Sequence, residues 1–158
     1  MAADDPRSPA ARRFARLVAD VYELAGELER CGEALAATVG QTGARWKVLS
    51  AASVPDQTVP QLARRLGLAR QSVQRVADAL EADGLLRYEA NPGHRRSPRV
   101  ALSVQGERAL ERLSAAAAEW EDPLAERITR AELEQARSFI QALLQVLRQH
   151  PPQSRRRK

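Results

Sequence analysis

Between Leu68 and Leu86 the chain reads LARQSVQRVADALEADGLL, and its opening carries Arg70, Gln71, Ser72, Gln74 and Arg75 close together. A helix start more often gathers acids, which the positive end of the helix dipole stabilises. Here the acids come late, at Asp78, Glu81 and Asp83. Glutamine offers a donor and an acceptor side by side, the match for adenine N6 and N7, and arginine offers a fork of donors for guanine O6 and N7. Arg70 and Ser72, on the flanks of the first turn, suit phosphate oxygens, helped by the free backbone N–H groups of a helix start. If Val73, Val76, Ala77 and Leu80 face inward, a 3.6-residue period sets Gln71, Gln74, Arg75 and Asp78 on the outer side. The spacing predicts a helix whose first turns fit the major groove of DNA.

Such a helix needs a partner to hold it. In TVPQLARRLGLARQSVQRV, Ala63 is small where two helices would cross, and Gly67 can take the positive φ of a tight turn. Val73 follows six residues later to begin the apolar face of the second helix. Small residue, glycine and β-branched residue at these offsets form the helix-turn-helix pattern. Thr58 and Gln61 make a capping box before the first of the two helices, and Gly84 provides a left-handed cap after the second. LLRYEA and RVALS then read as two short strands joined by the turn-rich NPGHRRSP, a hairpin with arginines at its tip. Helix, helix and hairpin together make a winged helix. GARWKVLSAA, residues 43–52, is expected to be a short preceding helix with Trp46 and Leu49 turned inward.

Long helices are expected on both sides. Phe14, Leu17, Val21, Leu24, Leu28, Cys31 and Leu35 alternate spacings of 3 and 4, as do Leu110, Leu113, Ala117, Trp120 and Leu124. Leu133, Ala136, Ile140, Leu143 and Leu147 form a third such seam, opened by the capping box of Thr129 and Glu132, with Pro123 expected in the break before it. The fold class expected is mainly α with a small β-hairpin wing, a winged helix-turn-helix embedded between long terminal dimerisation helices. The expected divisions are an N-terminal dimerisation helix over 10–40, a DNA-binding domain over 41–102, C-terminal dimerisation helices over 103–150 and a disordered basic tail over 151–158. These make one compact domain and a homodimer.

Charge distribution fits a polyanion partner. The chain of 158 residues carries a net charge of +5, yet Pro60 to Leu102 holds 8 arginines against 4 acids and Arg148 to Lys158 holds 5 basic residues and no acid. The intervening helices are acidic. No stretch approaches the ~18 apolar residues of a spanning helix, and no apolar leader opens the chain, so a cytoplasmic protein with no membrane partner is expected. Cys31 is the single cysteine, which rules out an intrachain disulfide. With only His94 and His150 beside it, a zinc cluster is not expected. The sequence presents no Ser/His/Asp set, no paired histidine ligands and no phosphate-cradling glycine loop, so neither an enzyme nor a cofactor is expected.

GARWKVL, TVPQLARRLGLARQSVQRVADALEADGLL and RVALSVQGERAL resemble the MarR family, the multiple-antibiotic-resistance regulators, from about Phe14 to Leu147. The resemblance implies a homodimer of winged helices with intertwined terminal helices. It also implies repression through palindromic operators on double-stranded DNA, with release by a small phenolic or lipophilic effector or by an oxidant. The arginine midway along the family's recognition helix falls on Arg75. The family's wing commonly reads D-x-R-x-x-x-V; here Arg96 and Val100 match, but His94 stands in place of the acid, and Arg95 adjoins as a second candidate for the minor groove.

Tyr22, Trp46 and Trp120 are half of the chain's six aromatics and are candidates to line a ligand cleft, although each also lies on or beside an apolar stripe. Cys31 occupies a seam position, which favours packing over redox sensing. The alternative to a sequence-specific regulator is a winged-helix module for protein–protein assembly or sequence-independent DNA binding.

Overall fold

The computed structural model describes residues 7–94 and 96–151, so Arg95 and the tail beyond Pro151 lie outside the described residues. Helix α1 spans Pro9–Thr38, opened by Ser8, whose hydroxyl accepts from the Ala11 N–H at 3.1 Å. Helix α2, Gly43–Ala52, starts at Thr42, which caps Arg45 N–H at 3.2 Å. The turn between them is closed by a carboxylate, as Glu33 accepts from the Gly43 N–H at 2.7 Å. Leu49 of α2 is fully buried and Trp46 packs half-buried against the same core, as their spacing implies.

A two-residue strand β1, Gln57–Thr58, leads directly into helix α3, Val59–Leu66. Gln61 Oε1 accepts from both the N–H and the hydroxyl of Thr58, at 2.8 and 2.7 Å. Helix α3 ends at Gly67, whose φ of 67° lets the Leu68 N–H return to the Ala63 carbonyl at 3.0 Å. Helix α4, Arg70–Ala82, ends in the same way at Gly84, with φ 71° and Leu85 N–H donating to the Leu80 carbonyl at 2.8 Å. Between these two left-handed turns, Val73, Ala77 and Leu80 bury one face of α4. Their partners include Leu49, Leu62, Val100 and Leu113, so a single apolar core holds the helix pair, the sheet and the next helix together.

Strands β2, Leu86–Glu89, and β3, Arg99–Leu102, pair antiparallel with Tyr88 opposite Val100 and Leu86 opposite Leu102. Strand β1 pairs with the other edge of β3, giving the order β1-β3-β2. The sheet therefore has three strands where the sequence suggests a hairpin of two. The third strand contributes only two residues, too few for alternation to register. Leu86, Val100 and Leu102 point into the core, and Tyr88 lies on the same side as Leu86 by the two-residue period.

Helix α5, Val104–Ala125, begins on the turn that follows α4. Ser103 Oγ donates to the Gly84 carbonyl at 2.5 Å and accepts from the Gly106 N–H at 3.0 Å, while the Ser103 N–H reaches the Leu85 carbonyl at 3.1 Å. Pro123 does not break this helix as expected; it sits inside the last turn. A proline there removes one hydrogen bond where few residues of helix remain to be lost. Helix α6, Arg130–Gln149, opens with the expected capping box: Glu132 accepts from the Thr129 N–H at 2.9 Å and hydroxyl at 2.7 Å. The described chain divides into two compact units, one up to Ala117 and one from Ala118 onward. Helix α6 buries none of its residues within the chain, and its capping box draws the Glu132 carboxyl below its ordinary value through the Thr129 hydroxyl and N–H.

Gly106 is where α5 comes closest to the core turn. A Cβ built there would collide with the carbonyl of Leu85, the group that accepts from Ser103. Gly106→Ala is expected to cost about 1–3 kcal/mol, as overpacking does when the obstacle is backbone. Urea unfolding of the two proteins measures it, and an unchanged midpoint would mean that α5 shifts away without cost.

Candidate nucleic-acid interface

The start of α4 carries no side-chain cap. Its N-cap is Ala69, and no acid occupies the first turn. The first N–H groups of the helix thus find no capping side chain, and no acid of the first turn meets the dipole's positive end. Arg70 and Gln71 stand exposed at this end, Ser72 is half-buried, and Arg75 is exposed one turn on. Arg70, Gln71, Gln74 and Arg75 line one open hollow on the surface of the helix. The far end of α4 is tied down instead: Arg45 of α2 donates to Asp83 at 2.7 Å and to Gln41 at 2.8 Å.

Gln74 and Asp78, four residues apart, turn sideways toward the sheet rather than straight outward. Gln74 Nε2 donates to Asp78 Oδ1 at 2.8 Å and to Tyr88 Oη at 2.9 Å, and Tyr88 Oη donates to Asp78 Oδ1 at 2.6 Å. Burial first, then the hydrogen bond to Asp78 and its charge, push the Tyr88 phenol well above its ordinary value, so it remains a donor throughout the neutral range. The network joins α4 to β2, and sequence reasoning does not find it. Its one sequence signal is the strand period that sets Tyr88 on the same side as Leu86; the meeting with α4 depends on how the two elements pack.

The wing between β2 and β3 braces itself. Asn91 donates through Nδ2 to the Ser97 carbonyl at 2.9 Å and accepts through Oδ1 from the Gly93 N–H at 3.2 Å. His94, which stands where an acid is expected, shapes the turn through its backbone, accepting from the Ser97 N–H at 2.9 Å. Arg96 is exposed and lines a groove with Arg70, Gln74, Tyr88, Ser97 and Pro98. The wing arginine and the helix-start arginine thus border the same opening. At the base of the wing Arg99 is held by Asp56 at 2.5 Å. Arg95 belongs to the expected set but lies outside the described residues.

The three aromatics proposed for a ligand cleft occupy different settings. Trp46 lines a shallow hollow of about 280 Å³ with Lys47, Ser50, Ala51, Arg65 and Leu66. Tyr22 is 75% exposed on α1, and Trp120 is half-buried on α5. Cys31 is half-buried on α1. Among the described residues no group of three His, Cys, Asp or Glu side chains is placed to hold a metal, and no helix is long and apolar enough to cross a membrane.

Comparison with known proteins places this geometry in context. A family model described as MarR family matches residues 40–97, the stretch from the turn after α1 through α4 and most of the wing. An uncharacterised protein of Mycobacterium tuberculosis is 45% identical over 139 residues, covering 88% of this chain and 97% of the relative. Among solved structures, a MarR/EmrR family transcriptional regulator from Acinetobacter sp. ADP1 superposes with a TM-score of 0.77 at 24% identity, over 87% of this chain and 98% of that one. The M. tuberculosis regulator MosR in complex with DNA superposes with a TM-score of 0.67 at 21% identity, over 83% and 95% of the two chains.

The raised Tyr88 phenol has a spectroscopic consequence. The chain has two tyrosines, so Tyr22→Phe leaves Tyr88 as the single phenol. An ordinary phenol is half ionised near pH ~10. Tyr88 in that variant is expected to stay mostly protonated there by ultraviolet titration, and half-ionisation at that pH would show that neither its burial nor Asp78 holds the proton.

Proposed function

Because the chain belongs to the MarR family of winged-helix transcriptional regulators, we propose that it binds operator DNA as a homodimer and represses transcription, with a small effector controlling release. The observation that carries the reading is the uncapped, acid-free start of α4 bearing Arg70, Gln71, Ser72, Gln74 and Arg75, bordered by Arg96 of the wing. In this reading α4 enters the major groove. Gln71, Gln74 and Arg75 face base edges, while Arg70 and Ser72 hold phosphates. Arg96, or Arg95 in its place, enters the adjacent minor groove, where width and negative potential attract arginine.

Exposed apolar side chains support the twofold assembly. Leu24 and Leu28 of α1 are 54% and 53% exposed, and Phe139 and Ile140 of α6 are 53% and 49% exposed. Apolar seams of this length without a cover within the chain suit a self-complementary interface, which also presents two copies of α4 to a palindromic site. The core of 41–102 is then the reading head, and the helices of 10–40 and 103–150 are the dimer frame. The hollow beside Trp46, flanked by Lys47 and Arg65, is the proposed place for an acidic or phenolic effector, with Tyr22 and Trp120 as further candidates.

Arg75 and Arg96 are expected to fail in different ways. Losing a base contact at Arg75 should cost about 1–3 kcal/mol on the preferred sequence and cut its advantage over scrambled DNA. Arg96→Ala should weaken binding to both duplexes and lower the log–log salt slope by about one per protomer, hence about two in a dimer. Salt titrations of both variants on selected and scrambled duplexes measure this. If Arg75→Ala weakens both duplexes equally, Arg75 is a phosphate anchor and the base-reading role is lost.

The terminal helices carry a separate expectation. Removing residues from Thr129 onward, and with them α6, should abolish the folded dimer in sedimentation equilibrium. A stable, well-folded monomer from that truncation would contradict the assembly.

A further inference from the structure

Gln74 is the one polar side chain at the start of α4 whose orientation other side chains dictate. The Asp78 carboxylate can only accept hydrogen bonds. The Tyr88 hydroxyl has one proton, and at 2.6 Å that proton goes to Asp78 Oδ1. The end of the Gln74 amide that faces both must therefore be its nitrogen. Turning Oε1 inward would set three oxygens around a single proton. The sides of the triangle formed by Nε2, Oδ1 and Oη are 2.6, 2.8 and 2.9 Å. It is nearly equilateral, so the two acceptors lie close enough together for one amide hydrogen to serve both. The carbonyl oxygen and the second N–H remain, and Gln74 also lines the open hollow beside Gln71 and Arg75.

We propose that Tyr88 and Asp78 are positioning residues that fix the amide of Gln74 so that it reads adenine at one base-pair position per protomer. An adjacent donor and acceptor of fixed order match adenine, which offers N7 as acceptor beside its N6 donor. Guanine offers two acceptors on that edge, and cytosine offers a lone donor. A free glutamine turns its amide over to suit either kind of partner. One held by Tyr88 and Asp78 does not, and the wing strand thereby contributes to specificity without touching a base. The proposal rests on the DNA-binding reading above.

The test is selection from a randomised duplex library by the full-length protein and its variants, followed by sequencing. The wild type should enrich sites with adenine at one position per protomer, and Gln74→Ala should flatten the preference at that position alone. Tyr88→Phe keeps the ring and removes only the hydroxyl. It leaves Asp78 to accept from the amide nitrogen alone and should reduce the preference for adenine there in part, with other positions and the salt slope unchanged. Asp78 is exposed, so Asp78→Ala leaves the core intact; the Tyr88 hydroxyl can then donate or accept, the amide is free to turn over, and the preference for adenine should fall by about tenfold at that position. Full adenine preference in both Tyr88→Phe and Asp78→Ala would overturn the positioning role. A wild type that binds the library but loses no positional preference in Gln74→Ala would overturn it too. A wild type that enriches no sequence would instead overturn sequence-specific recognition itself.

Discussion

Burial of Val73, Ala77 and Leu80 against Leu49 and Leu62 decides which side of α4 meets the outside world. A helix has one rotational setting that hides those three side chains, and that setting leaves Arg70, Gln71 and Arg75 exposed. The two glycine turns fix the ends: Gly67 lets α4 leave α3 at a sharp angle, and Gly84 returns the chain to the sheet. The core thus has a functional consequence. Rotation of α4 by one residue toward its C-terminal side would turn Gln74, Asp78 and Glu81 inward and expose Leu80, and the apolar contacts oppose it.

The two ends of α4 are treated unequally, and the inequality suits a polyanion partner. The C-terminal end is held within the protein by Arg45 on Asp83. The N-terminal end has Ala69 in place of a capping side chain and no acid to meet its dipole. Capping a helix start with a Ser, Thr, Asp or Asn contributes about 1 kcal/mol, so this end forgoes stability that the capping boxes of α3 and α6 retain. The forgone interaction is the one a phosphate would supply. The Gln74–Asp78–Tyr88 network then ties the flank of the helix to strand β2, at the root of the wing.

Much of this was legible in the sequence, because local signals and tertiary packing agree. The 3.6-residue period gives α4 its inward face, and the glycines at 67 and 84 mark its limits. The capping boxes at Thr58 and Thr129 likewise follow from residue types three apart. What escaped is what depends on neighbours in space. Strand β1 is two residues long and exists only because β3 offers it an edge. Pro123 reads as a break, yet lies in the last turn of α5, where a missing N–H costs little. The helical period sets Gln74 on the outer side of α4; its turn toward Tyr88 depends on where β2 packs, which no spacing within α4 encodes. Asn91 bracing the wing was equally out of reach, since its partner is a backbone carbonyl across the turn.

The open end of α4 and the wing tip are proposed to form one DNA-facing edge, and amide hydrogen exchange tests that most directly. The protein is compared alone and with a mixed-sequence duplex at low ionic strength, where phosphate contacts form regardless of base sequence. The account predicts slowed exchange at the Arg70 and Gln71 amides and across the wing turn from Asn91 to Ser97, with α2 unchanged. Slowed exchange confined to α5 or α6, with the start of α4 exchanging as fast as in the free protein, would contradict it.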